Sequence, residues 1–175
     1  MVKKTITSES YHLLHPKMTF LLTSITKDGK PNVMTCAWAT PVSDDPPIVI
    51  VCVSKEHYTT RLIKQTKEFV INIPARKLLK ALWICGRVSG IDTDKFKKAK
   101  LETVPAKRVK VPIIRDCIGH IECKVWKTVD AGECYAIFGK VLSAYADDKY
   151  FKKGLWTQEA EIPLHLGGSR MVYFK

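Results

Sequence analysis

Between the apolar run Ile48-Val49-Ile50-Val51-Cys52-Val53 and the pair Leu62-Ile63, the chain reads Ser54, Lys55, Glu56, His57, Tyr58, Thr59, Thr60, Arg61. A strand ending at the run, followed by a helix with Leu62 and Ile63 inward, places this cluster on the helix's first turn. Backbone N–H groups there have no partner within the helix, and the dipole leaves a partial charge of roughly +0.5 e. Hydroxyls of Ser54, Thr59 and Thr60, with the cations Lys55 and Arg61, would complete an anion site suited to a phosphate. The same residues also fit an ordinary capped helix whose cations face water.

Four other features carry possible chemistry. In "TCAWATPVS" small and polar residues flank one indole, Trp38. Small residues let a flat ligand approach backbone amides, and an aromatic can stack on it; an ordinary core strand is the plainer reading. Asn72 is polar within the apolar "FVINI", and if buried it needs a backbone or ligand partner. His165 precedes "LGG", where a surface or hydrogen-bonded histidine is the ordinary expectation. Lys95 in "DTDKF" would stand in a helix's first turn, where the dipole does not favour a cation. Solvent exposure is its simpler account, an anion contact the other.

These groups need a scaffold. "MTFLLTSI" and "VMTCAW" flank Asp28-Gly29, a strong hairpin signal. Three prolines in "PVSDDPP" break the chain, and Ile48–Val53 reads as a strand buried on both faces. "TTRLIKQTK" predicts a short helix, "EFVINI" a strand ended by Pro74, and "ARKLLKALWICG" a second helix. Its expected stripe is Leu78, Leu79, Leu82 and Trp83, with Gly86 as its stop. "DTDKFKKAK" predicts a small capped helix. "IGHIECKVWKTV" alternates, with Ile121, Cys123 and Val125 on one side and His120, Glu122, Lys124 and Trp126 on the other. "DAGE" turns it into the long strand "CYAIFGKVLSAYA", and "IPLHLGGSRMVYF" supplies an apolar run, a Gly-Gly break and a terminal strand. Six or seven strands in antiparallel hairpins, with two or three short helices, predict a mainly β antiparallel barrel with peripheral helices.

Composition narrows the function class. At 175 residues and 46% hydrophobic content the chain suits a single domain, residues 1–175. The longest charge-free run, Pro31–Ser43, has 13 residues and two prolines, too short for a membrane span. "MVKKTITSESYHLLHP" lacks an apolar signal region, so the expected compartment is the cytoplasm. Net charge is +12, which admits nucleic acid, acidic lipid or phosphorylated ligands. The cations of "KFKKAK" and "AKRVK" lack the aromatic interleaving of a single-strand groove, so a solvated basic face is expected. None of the six cysteines forms a C-x-x-C, so no metal site is expected and reduced, buried thiols are. There is no phosphate-binding glycine loop, dinucleotide fingerprint, zinc-protease or nucleophile-elbow motif.

In order along the chain, "DGKPNVMTCAWATPVSDDPPIVIVCVSKEHYTTRLI", "KEFVINIP", "CGRVSGIDTDKF", "IECKVW" and "LHLGG" resemble the flavin reductase-like family, the FMN-binding split barrel, and within it the flavoredoxin and ferric-reductase branch. The segments span about Phe20 to Gly168. The resemblance implies a homodimeric antiparallel split β-barrel that binds FMN non-covalently near the dimer interface. Thr35, Cys36, Ala37, Trp38 and Ala39 would line the isoalloxazine. Ser54 and Thr59 would meet the phosphate or ribityl chain, with Lys95 adding charge. Asn72, Cys85, Gly86 and Ser89 would complete the pocket wall, and His165 would sit near the flavin or nicotinamide. Lys55, His57 and Arg61 are expected to form no more than a basic rim. No catalytic side chain is required, because hydride and electron transfer are the flavin's own chemistry. The implied activity is NAD(P)H-dependent reduction of free flavin, ferric chelates or another acceptor, a small molecule or a redox partner protein. An FMN-binding electron carrier without NAD(P)H activity is the first alternative, and a nucleic-acid-binding barrel the second.

Overall fold

Alternating apolar residues and glycine-bearing turns build most of this chain as antiparallel hairpins. The computed structural model describes residue 3 and residues 5–173. Its strands and helices are β1 (Lys17–Met18), β2 (Phe20–Ile25), β3 (Pro31–Cys36), β4 (Ala39–Ser43), β5 (Ile48–Ser54), α1 (Tyr58–Thr66), β6 (Glu68–Ile73), α2 (Leu79–Arg87), α3 (Lys95–Ala99), β7 (Thr103–Val104), β8 (Ile113–Ile114), β9 (Gly119–Ala131), β10 (Cys134–Ala146), β11 (Phe151–Lys152), β12 (Leu155–Trp156), β13 (Pro163–Gly167) and β14 (Arg170–Tyr173). The terminal strand expected to include Phe174 is described as far as Tyr173; Phe174 lies outside the described residues. No described helix is long and apolar enough to cross a membrane.

Seven strands form one antiparallel sheet in the order β3-β2-β6-β9-β10-β5-β4. The expected hairpins are present: β2 with β3, turning at Gly29 (φ 91°), and β9 with β10, turning at Gly132 (φ 74°). Phe20, Leu22 and Cys36 from one end of the sheet share a core with Val49, Val51 and Val53 from the other. The sheet therefore curls round a common interior. Its end strands β3 and β4 are not hydrogen-bonded to each other, so the barrel is not closed. β1, β13 and β14 form a separate small sheet.

Three expectations are corrected. β5 is not buried on both faces: Val49, Val51 and Val53 are buried, but Ile50 and Cys52 are only half-buried. In α2 the buried residues are Ala81, Leu82 and Cys85, with Leu78 just before it; Leu79 and Trp83 are half-buried. The helix also runs through Gly86 to Arg87. In β9, His120 and Glu122, on the side opposite Ile121 and Cys123, are buried as well.

The burial of Glu122 has a clear physical cause. The Glu122 carboxylate accepts the backbone N–H groups of Lys107 (2.8 Å), Arg108 (2.6 Å) and Val109 (3.2 Å) and the Tyr145 hydroxyl (2.9 Å). Lys110 donates its N–H to Glu68 at 2.9 Å. The stretch "AKRVK", expected as a solvated basic face, is thus fastened to the sheet by two acids, with Val109 and Val111 packed beneath it. Burial opposes ionisation of Glu122, but its donors outweigh it and hold the carboxyl below its ordinary range.

Beside it, burial pushes the His120 imidazole down to about 4. Its Nδ1 lies 2.9 Å from Asn72 Oδ1, which already accepts the Ile114 N–H at 3.0 Å. Nδ1–H must therefore donate, and the ring is neutral. The folded pKa lies below the unfolded 6.5, so an unfolded chain takes up a proton that the fold refuses. Stability is unaffected above pH 6.5 and falls by about 3 kcal/mol as pH drops toward 4. Urea midpoints measured across that range should fall, and His120→Gln should flatten the fall. Parallel curves for the two proteins would assign the acid sensitivity elsewhere.

Candidate functional site

α1 starts directly after β5, and the junction is tied by two bonds to one carbonyl. Ser54 O accepts the Thr60 hydroxyl at 2.6 Å and the His57 N–H at 3.1 Å. His57 occupies the N-cap and makes no side-chain capping bond. The first turn is therefore left without a protein cap, and it opens on a cleft of about 290 Å³.

Thr59 is buried at the start of this helix, and its hydroxyl oxygen accepts Asn32 Nδ2 at 2.9 Å. Asn32 also donates to Ser24 Oγ at 3.2 Å. The amide thus positions the Thr59 hydroxyl, whose own proton remains available for donation. Gly90 makes this possible: a Cβ there would lie 2.0 Å from Asn32 Oδ1. On the opposite wall the end of α2 packs on β3, where Thr35 donates its hydroxyl to Leu82 O. Gly86 keeps that approach close, since a Cβ would meet Thr35 Cβ at 3.3 Å.

Lys95 enters from α3, whose N-cap Asp94 accepts the Lys97 N–H at 3.0 Å. Solvent exposure, the simpler sequence reading, is corrected: Lys95 is buried and donates to Cys85 O at 2.9 Å. Burial pushes its ammonium pKa down. His57 is also lowered, first by burial and then by the Lys95 charge. Burial raises the Cys85 thiol to about 11 despite Lys95, so it stays protonated near neutrality. Arg87 adds a cation to the lining and Glu56 is its one acid.

Of the residues singled out in the sequence, Thr35, Thr59, Cys85, Gly86, Ser89 and Lys95 line this cleft. The others lie outside its lining. Ser54 serves through its backbone at the strand–helix junction. Cys36 is in the core, its thiol raised to about 11 by burial. Ala37 is half-buried and Trp38 is 40% exposed, with its ring 5.6 Å from that of Tyr11. Ala39 borders a second, apolar opening between β4, β5 and β6. Asn72 is fully buried, donating to Leu21 O (2.9 Å) and Thr23 Oγ1 (3.1 Å), so its partners lie in the core and not in the cleft. His165 lies in β13 with Nε2 3.0 Å from Gly168 O and its ring 5.2 Å from that of His15.

Asn32, His57, Arg87 and Gly90 join the lining without having been singled out for it. Arg87 and Gly90 sit between and beside Gly86 and Ser89 in "CGRVSG", a signal adjacency could have supplied. Asn32 carries no local sign beyond being polar in a strand. The cations of the opening cluster are used elsewhere: Lys55 pairs with Asp130 at 2.7 Å, and Arg61 lies over the Tyr58 ring at 4.8 Å. Among the described residues no group of three or more His, Cys, Asp or Glu is placed to hold a metal ion.

Hydroxyls, an uncapped helix start and cations around one small cleft are a donor set for a phosphate ester. Comparison with known proteins places the chain in a family. Over 167 residues the chain is 35% identical to an uncharacterised protein of Pyrococcus abyssi, covering 95% of each chain. It is 27% identical over 124 residues to a flavin reductase (NADH) of Kitasatospora aureofaciens, covering 70% of this chain and 62% of that one. Its structure is similar to the flavoredoxin of Desulfovibrio vulgaris (Miyazaki F), with a TM-score of 0.88, 26% identity, and coverage of 98% and 93%. The model of the flavin reductase like domain matches residues 12–165, and the chain belongs to that family.

Proposed function

We propose that the cleft holds FMN non-covalently and that the protein is an oxidoreductase, drawing on NADH or NADPH to reduce free flavin, ferric chelates or another acceptor. The observation that carries this reading is the meeting of the uncapped α1 start, the Thr59 hydroxyl and Lys95 in one cleft. These donors fit a terminal phosphate, and Ser89 and Arg87 extend them. Thr35 and Gly86 offer a close, small-residue wall to a flat ring system. When bound, FMN supplies the hydride and electron transfer; the chain's own residues bind and orient it.

A homodimeric split barrel is part of the same reading. The outer face of β5, β10 and β9 presents the half-buried Ile50, Cys52 and Phe138 beside the exposed Trp126 and Val129. The Trp126 and Phe138 rings meet edge to face at 6.3 Å. An apolar sheet face of this kind is suited to a second copy of the chain. Phe138→Glu should shift sedimentation from dimer to monomer; a wild-type protein that sediments as a monomer would count against the interface.

Direct tests separate the alternatives. After addition of FMN and desalting, the protein should retain a visible flavin spectrum, and a colourless protein would end the flavin reading. Rapid mixing with NADH or NADPH should bleach it. The likeness to a flavoredoxin favours the carrier as the second reading, and a bound flavin that neither nicotinamide bleaches would select it.

A further inference from the structure

Among the side chains lining the cleft, His57 alone has an ordinary pKa close to neutrality, 6.5. It is the N-cap residue of α1, directly before the free N–H groups of the first turn, and its side chain caps none of them. A serine, threonine, asparagine or aspartate there would satisfy one of those groups and compete with an incoming anion. The charged side chains on the cleft around it are Lys95 from α3, Arg87 from α2 and Glu56 beside it in the chain. Cys85 and Tyr58 are the other ionisable groups of the lining. Burial, and then the nearby Lys95 charge, hold the His57 ring neutral near pH 7. An anion that neutralises Lys95 removes the second effect and adds an attraction of its own.

We propose that His57 takes up a proton from solvent as FMN binds, and that its imidazolium then donates to the phosphate. The proposal rests on the cleft being the FMN phosphate site. A phosphate monoester loses its second proton at about pH 6, so it arrives largely as a dianion near neutrality. A second permanent cation beside Lys95 would repel it whenever no anion is bound. An imidazole avoids that cost, because it gains its charge only with the phosphate. The coupling also makes His57 a specificity residue: riboflavin, which has no phosphate, brings nothing to draw the proton. By reciprocity, protonation of His57 must strengthen FMN binding by the same factor that FMN strengthens protonation.

Flavin affinities of the whole protein decide the matter. FMN and riboflavin are titrated separately by flavin fluorescence at about pH 8 and about pH 6, on either side of the imidazole range. Wild-type protein is compared with His57→Gln, whose side chain does not titrate. The phosphate's own titration is common to both proteins and cancels in the ratio of their FMN Kd values. One whole proton taken up changes affinity about tenfold per pH unit, so with partial uptake the ratio should grow about fivefold from the higher pH to the lower. His57→Lys carries a permanent cation, and its FMN advantage over His57→Gln should be the same at both pH values. Riboflavin should show no growth in the ratio. The three proteins should melt alike, since the His57 side chain makes no capping bond. An FMN ratio that does not move with pH, or one that riboflavin matches, overturns the proposal. If wild-type protein binds FMN at neither pH, the reading of the cleft fails and this proposal with it.

Discussion

Thr59→Ala combined with Lys95→Ala is expected to lower FMN affinity by more than a hundredfold. In the proposed site each side chain would offer the phosphate a hydrogen bond to a charged group, worth roughly 1.5–3 kcal/mol. Two such losses total about 3 kcal/mol or more, and every 1.4 kcal/mol is about tenfold. Thr59 is pre-positioned by Asn32 and Lys95 by Cys85 O, so neither must be ordered when ligand arrives. Thr59→Ser keeps the hydroxyl and should keep most of the affinity. Lys95→Ala also leaves the Cys85 carbonyl without its donor, so thermal melting must accompany the titration. A folded double variant with wild-type FMN affinity would remove both residues from the phosphate site.

Glu122→Ala should be the most damaging single change to the fold. Glu122 is fully buried, and its removal strands three backbone N–H groups and the Tyr145 hydroxyl. A stranded buried donor costs about 1–3 kcal/mol, and partial rehydration of the 107–109 loop recovers some of it, leaving roughly 3–5 kcal/mol. That is a large share of an ordinary domain's stability of about 5–15 kcal/mol. Urea denaturation should show the loss as a lowered midpoint. Glu122→Gln keeps one acceptor oxygen and should be milder. Equal damage from both would mean that the charge, and not the count of acceptors, holds the loop.

Much of the scaffold is legible in the sequence. β6 and β10 occupy the stretches that alternation and turn residues mark, Glu68–Ile73 and Cys134–Ala146. Hairpins read well because a strand's period and its turn chemistry lie among near neighbours. Two-residue ladders such as β7 with β8 were illegible, since so short a piece has no period. The expected stripe of α2 fails for another reason. Leu78, Leu79, Leu82, Trp83 and Ile84 put apolar side chains on both sides of the helix. Only contact with Leu21, Val33 and Ile114 selects the side that is buried.

The candidate site divides in the same way. The cluster from Ser54 to Arg61 marked a strand end and helix start that could receive an anion, because hydroxyls and cations at a helix N-terminus are a local pattern. Within it, the local pattern does not tell Thr59 from Lys55; only the family resemblance favours Thr59. Tertiary structure made that choice: Asn32, 27 residues away, holds Thr59 at the cleft, while Asp130, 75 residues away, draws Lys55 out of it. Asn72 shows the same limit, because the register of β6 on β9 sets it opposite His120 and fills its amide within the core. The chain's own order determines which elements form and where polar groups fall along them. Which partner each buried polar group finds is settled only when distant strands come into register, because every such group must be satisfied and its nearest candidates are remote in sequence.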